Sequence, residues 1–170
     1  GFQEIPKGFQ KVGLDTSILV HLFHYKLDSS KFKREKLPAR SAFYYAHKTK
    51  AEFIGVLMRK EGCSLPEASS AWEILEDSLN LQRIFWDRKI ETEYIPRVKK
   101  INMEIAKKRD TPKYQMTYKI GDADIEIISS FLKERVDLVY TSDRAFYETC
   151  KALNLYAVII KLFQYLELKD

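Results

Sequence analysis

The stretch "DLVYTSDRAFYE" (residues 137–148) decides the fold. Its apolar, β-branched and aromatic residues at 137–141 read as a buried strand. Two hydroxyl residues, Thr141 and Ser142, and then an acid, Asp143, follow directly. A helical stretch at 143–154 comes next. A carboxylate just beyond the end of a buried strand needs a reason to be there. The same feature recurs near the other end of the chain, in "KVGLDTSILV" (residues 11–20). There Val12, Gly13 and Leu14 end in Asp15, followed by Thr16 and Ser17. The apolar segment 17–27 that follows has helical spacing at Ile18, Leu19, Leu22 and Phe23.

Between these two points the pattern alternates. Residues 28–40 are polar and basic and read as a loop or a short exposed helix. "AFYYAH" (42–47) reads as a strand, and 50–60 as a helix. A further helix over 65–80 has Ser64 as N-cap, Pro66 in its first turn and Glu67 three residues after the cap. "RIFW" (83–86) reads as a short strand, 91–109 as a long charged helix and "GDADIEIISSFLKER" (121–135) as another helix. "YAVII" (156–160) reads as a strand and "FQYLEL" (163–168) as a last helical turn or two. Strands alternating with helices predict a parallel sheet covered on both faces. The expected architecture is a single three-layer α/β/α domain over residues 1–170, with a central, mostly parallel sheet of four to five strands. It carries an N-terminal extension (1–10), a basic loop (28–40) and a helical segment (60–115).

Composition narrows the class. With 170 residues the chain can bury a core without staples. No apolar run approaches the roughly 20 residues needed to cross a bilayer. "GFQEIPKGFQ" at the start has no apolar signal-peptide segment. A cytoplasmic protein with no membrane association is expected. Cys63 and Cys150 lack metal-binding spacing and read as reduced, structural thiols. A net charge of +5 suits a polyanionic partner such as nucleic acid, though many other proteins are equally basic.

In open parallel sheets, sites form beyond the carboxyl ends of the strands. If the strands bearing Asp15 and Asp143 are both central, those acids meet at one edge. Glu52 opens the helix after the aromatic strand, and "GDAD" opens the helix at 121–135. Asp124 shares a helical face with Ile127, Ile128 and Phe131. Asp122 lies about 200° around a regular helix from it. Asp124 is therefore the better candidate for an inner ligand, with Asp122 as the alternative. Each acid also has an ordinary use. Asp15, Asp122 and Asp143 would serve as helix caps, and Glu52 would form a capping box with Thr49. Taken together they ask for more. Two carboxylates about 4 Å apart repel by roughly 4 kcal/mol at an effective dielectric of 20, so gathering four of them calls for a cation. An all-oxygen donor set suits Mg²⁺ or Mn²⁺.

The ordered set "VGLDTS", Glu52, "DADIEIISSFLKE" and "DLVYTSDRAFYE" resembles the PIN-domain family, whose members include many metal-dependent ribonucleases. The resemblance runs in order over residues 11–160, with 60–115 matching only as helical filler. It implies a PIN-like fold and Mg²⁺- or Mn²⁺-dependent endoribonuclease activity. On this resemblance Asp15, Glu52, Asp124 (or Asp122) and Asp143 match the family's four acids. Thr16, Thr141 or Ser142 matches the hydroxyl residue that supports the site. Asp15, Asp124 and Asp143 would bind the metal, and Glu52 would hold water at the metal or help to take its proton. One departure is Phe131, on a helix where the family commonly has small residues.

Candidate RNA contacts are Lys31, Lys33, Arg34, Lys36 and Arg40 in the basic segment, and Lys113 and Lys119 near "GDAD". A solvated loop explains the first group equally well. Lys107, Lys108 and Arg109 complement a helix C-terminus. His21 and His24 read as surface or core-edge residues rather than a metal pair. Phe43, Tyr44 and Tyr45 read as packing residues before base-stacking ones. The resemblance leaves a toxin-type ribonuclease and an RNA-processing enzyme open. Its partners would be an RNA substrate, a second copy of the chain, and an antitoxin or a ribonucleoprotein. The rival is a catalytically weak or inactive PIN-like module that binds RNA or protein. A phosphatase-like enzyme is disfavoured, because Asp15-Thr16-Ser17 lacks a second acid two residues after the first.

Overall fold

A computed structural model describes residues 10–109, 117–161 and 164–165 of the chain. The expected extension at 1–10 is thus represented only by Gln10, and the turns expected at 163–168 only by Gln164 and Tyr165. Lys113 also lies outside the described residues.

Among the described residues, five strands make one sheet: β1 (Lys11–Leu14), β2 (Ala42–Ala46), β3 (Leu81–Ile84), β4 (Leu138–Thr141) and β5 (Ala157–Ile159). Their order is β3-β2-β1-β4-β5, and every neighbouring pair is parallel. The strands bearing Asp15 and Asp143 are therefore adjacent and central.

Alternation along each strand feeds two cores. Val12 and Leu14, Phe43 and Tyr45, and Leu138 and Tyr140 face one side. They pack with α1 (Thr16–His24), α2 (Ser29–Lys36), α3 (His47–Lys60) and α4 (Leu65–Leu79). Ala46, Ile84, Val139 and Ala157 face the other side, against α5 (Ile95–Arg109), α6 (Asp122–Glu134) and α7 (Arg144–Ala152). Gly13 resolves the departure at Phe131. A Cβ on Gly13 would stand 2.8 Å from Phe131 Cε1, so the glycine is what admits the large ring. The small residues beside that ring are Ser129 and Ser130, whose hydroxyls bond back to Ile125 and Glu126 carbonyls at 2.6 and 2.9 Å.

Of the two readings of 28–40, loop or short exposed helix, α2 realises the helix at its centre. Asp28 caps that helix by accepting from the Ser30 and Lys31 amides, and the fully buried Phe32 anchors it. The 60–115 segment is not all helical, because it contains β3. That strand starts earlier than expected: Asn80, in the left-handed region at φ 50°, ends α4, and Leu81 and Ile84 point inwards. Phe85 and Trp86 are left beyond its carboxyl end. The long charged helix begins as a π-helical turn, Ile90–Tyr94, in which the Ile95 amide reaches the Ile90 carbonyl. Pro96, at the next position, has no N–H to return to Thr92. By contrast, the Ser64–Glu67 capping box forms as expected, with contacts of 3.2 and 2.9 Å.

Candidate functional site

Asp15 leaves the sheet at the carboxyl end of β1, where its amide still bonds to the Tyr140 carbonyl of β4 at 3.1 Å. It stands at the N-cap position of α1, yet its side chain does not cap that helix. Instead Oδ2 accepts from Thr141 Oγ1 at 2.8 Å and from Ser17 Oγ at 2.9 Å. The carboxyl is only 3% exposed, and Oδ1 is buried with no hydrogen-bond partner. Burial drives its pKa up to about 6, against the pull of the two hydroxyls; the charges of Glu52 and Asp143 push it further up.

The loops after β1 and β4 are stitched together. Thr141 Oγ1 also accepts the Asp143 amide at 3.0 Å, and Ser17 Oγ accepts the Ser142 amide at 3.0 Å. Ser142 Oγ shares a 2.6 Å bond with the hydroxyl of Tyr165, a fully buried ring packed beside His21 and Phe32. Thr141 is wholly buried, so each of its bonds is made away from water. Thr16 turns instead to Thr49, at 3.4 Å.

The remaining acids come from three helices. Asp143 is exposed and caps α7, accepting the Phe146 amide at 2.8 Å, so it serves the helix while its charge acts on the site. Glu52 is half-buried inside α3, which starts at His47; the Thr49–Glu52 capping box therefore does not form. Asp124 is half-buried in the first turn of α6, and Asp122 stands exposed at the first position. Burial raises the Asp124 carboxyl to about 8, with further pushes from Asp15, Glu52 and Asp143. The Cys150 thiol of α7, buried below them, is held well up by burial and by the charges of Asp15 and Asp124. Asp15, Glu52, Asp124 and Asp143 thus share one electrostatic neighbourhood.

Among the described residues, no three His, Cys, Asp or Glu side chains close into a ready-made ligand set. The donor chemistry nevertheless fits a hydrated divalent ion. It is all oxygen, Asp15 Oδ1 is buried with no partner, and Mg²⁺ keeps several waters.

The other sequence candidates are placed elsewhere. Arg40 is exposed just before β2, and Lys33 lies over the Phe43 ring at 5.5 Å; both are near the amino end of that strand, away from the acids. Lys31, Arg34 and Lys36 ride on α2. Lys119 is exposed just before α6, at the end of that helix that carries Asp124. His24 pairs with Glu61, while the His21 ring meets Tyr165 edge-on and Tyr25 at a tilt, so the two side chains are engaged with different partners. Phe43 and Tyr45 are core residues. Ser17, not among the support residues expected from the sequence, steadies the Asp15 carboxylate. Tyr165 carried no signal in the sequence, because its contact depends on a remote part of the chain folding back.

No family model matches the sequence, and no curated protein sequence does. Similarity appears at the level of solved structures. VapBC-1 from nontypeable Haemophilus influenzae superposes with a TM-score of 0.58 at 18% identity, covering 88% of this chain and 97% of that one. VapBC2 from Rickettsia felis, solved bound to a DNA fragment from its promoter, gives 0.62 at 20% identity, covering 89% and 99%. PAE2754 from Pyrobaculum aerophilum gives 0.51 at 15% identity, covering 94% and 96%. The chain has a PIN-like fold. No described helix is long and apolar enough to cross a membrane.

Proposed function

We propose that this protein is a Mg²⁺- or Mn²⁺-dependent endoribonuclease with its site at Asp15, Glu52, Asp124 and Asp143. One observation carries the reading: Asp15 is buried, hydroxyls hold one of its oxygens, the other has no partner, and its proton affinity is raised by burial and by the charges of Glu52 and Asp143. A fold gains nothing from that repulsion unless a cation offsets it.

Asp15 and Asp124 would hold the ion, with Asp143 beside them. When bound, such an ion offsets charge on the phosphate oxygens and makes water a stronger acid. Thr141 and Ser17 fix the Asp15 carboxylate through Oδ2, which leaves Oδ1 as the oxygen that would ligate an ion. Glu52 orients the attacking water and accepts its proton. The likeness to the VapBC proteins supports a toxin-type role with an antitoxin partner over an RNA-processing role. Homodimerisation is part of the same proposal.

The test is cleavage of single-stranded and structured RNA with Mg²⁺ or Mn²⁺, by wild type and by Asp15→Asn and Asp143→Asn. Asparagine caps a helix about as well as aspartate. Asp143→Asn should therefore keep the fold and lose at least about a hundredfold in rate, as removal of a group acting on transition-state charge does. Cleavage surviving both substitutions refutes the site. Tight RNA binding without cleavage under any metal favours the binding-only module.

A further inference from the structure

The exposed aromatics are not those of the "AFYYAH" strand. Phe85 and Trp86, immediately after β3, are 70% and 43% exposed. Register places them level with the acids. Gly13 pairs with Tyr44 and Ala46 with Ile84, so Asp15, Ala46 and Ile84 occupy one level across three neighbouring strands. Phe85 leaves the sheet at the same carboxyl edge, two strand spacings or roughly 10 Å from Asp15.

Exposed cations flank these rings. Arg83, Arg88 and Lys89 are all exposed, and the Arg83 guanidinium lies 5.3 Å from the Phe85 ring centre. The acid within the stretch, Asp87, is engaged with Lys133 at 3.4 Å and with the Lys89 amide at 2.7 Å. Trp86 is braced from below by His47, ring centres 5.0 Å apart in an edge-to-face contact. His47 in turn approaches Glu126 of α6 at 3.9 Å, two residues from Asp124. The platform is therefore tied to the two helices that carry Glu52 and Asp124.

We infer that Phe85 and Trp86, with Arg83, form a stacking platform for unpaired bases of a single-stranded RNA whose backbone passes the acids. A flat ring accepts any base face, and the flanking cations meet the phosphates. This subsite rests on the ribonuclease reading. It selects unpaired over duplex RNA, because stacked and paired bases do not present their faces.

Two tryptophans make the test direct. Trp72 is fully buried, so fluorescence quenching on binding reports Trp86. A single-stranded RNA oligonucleotide is titrated, without divalent metal, into wild type, Phe85→Ala/Trp86→Ala and Trp86→Phe. The platform predicts quenching in wild type and weaker binding to the same oligonucleotide in duplex form. It also predicts a loss of affinity of about five- to hundredfold in the double variant, followed by direct binding, with Trp86→Phe near wild type. Affinity unchanged in the double variant, or quenching only by a protein ligand, overturns it. Quenching without cleavage under any metal would keep the platform and refute the nuclease reading. Cleavage with unchanged affinity in the double variant would do the reverse.

Discussion

Thr141 Oγ1 lies 2.8 Å from Asp15 Oδ2, joining two residues 126 apart in the chain. The same oxygen accepts the Asp143 amide, so one buried hydroxyl aligns acids from both central strands. Thr141→Val should cost about 1–3 kcal/mol, because the Asp143 amide and Asp15 each lose a buried partner. Its bond lowers the Asp15 pKa, so the substitution also moves that value upwards and weakens Mn²⁺ binding. Thr141→Ser should restore both. Denaturant melts and Mn²⁺ titrations of the pair decide it; normal Mn²⁺ affinity in Thr141→Val would contradict the positioning role.

Asp15 and Asp124 are raised from 3.8 to about 6 and about 8. The native protein therefore keeps protons that the unfolded chain releases. That stabilisation is full below about pH 4 and is lost as pH rises through about 6 and then about 8. In EDTA, Tm should fall across this window, and Mg²⁺ or Mn²⁺ should offset the fall most at its upper end. A flat Tm in EDTA over the same range would show that burial and the neighbouring charges do not raise these two carboxyls as described.

Asp124→Asn removes one of the repelling charges. We expect the metal-free variant to gain about 1–2 kcal/mol near pH 8 while losing cleavage and at least tenfold in Mn²⁺ affinity. Asp122→Asn, at an exposed position, should stay within about 0.5 kcal/mol and bind Mn²⁺ normally. Equal Mn²⁺ losses in the two variants would return Asp122 to the ligand set.

Gly13→Ala would place its methyl 2.8 Å from the Phe131 ring. Overpacking of this kind costs about 1–3 kcal/mol. The smaller side chain of Phe131→Leu should recover part of that loss in the double variant. Additive effects in a double-mutant cycle would mean that the two positions do not share the space.

Much of this was legible in the sequence, for identifiable reasons. Strands buried on both faces write continuous apolar runs, so β1, β2, β4 and β5 stand out, and helical phase separates Asp124 from Asp122. The edge strand β3 was blurred because Gln82 and Arg83 are exposed and only Leu81 and Ile84 bury. The α2 helix could not be told from a loop by its charges, since a single buried ring, Phe32, anchors it. The convergence of the acids could be inferred from strand ends. Which hydroxyl holds which oxygen could not, because Ser17, Thr141 and Ser142 are chemically interchangeable until the two loops are brought together. Gly13 and Phe131 each read as ordinary alone; their exchange of volume appears only across the β1–α6 contact.

The bond between Tyr165 and Ser142 also sets an order of biosynthesis. Asp15, Glu52, Asp124 and Asp143 have all been translated before Tyr165 emerges, yet the loop between β4 and α7 is not anchored on that side until this ring docks. A nascent chain would therefore carry its acids for some time before the site is braced. Purified chains ending before residue 165 should show less Mn²⁺-dependent protection from protease than the full chain, and equal protection would show that the brace is dispensable.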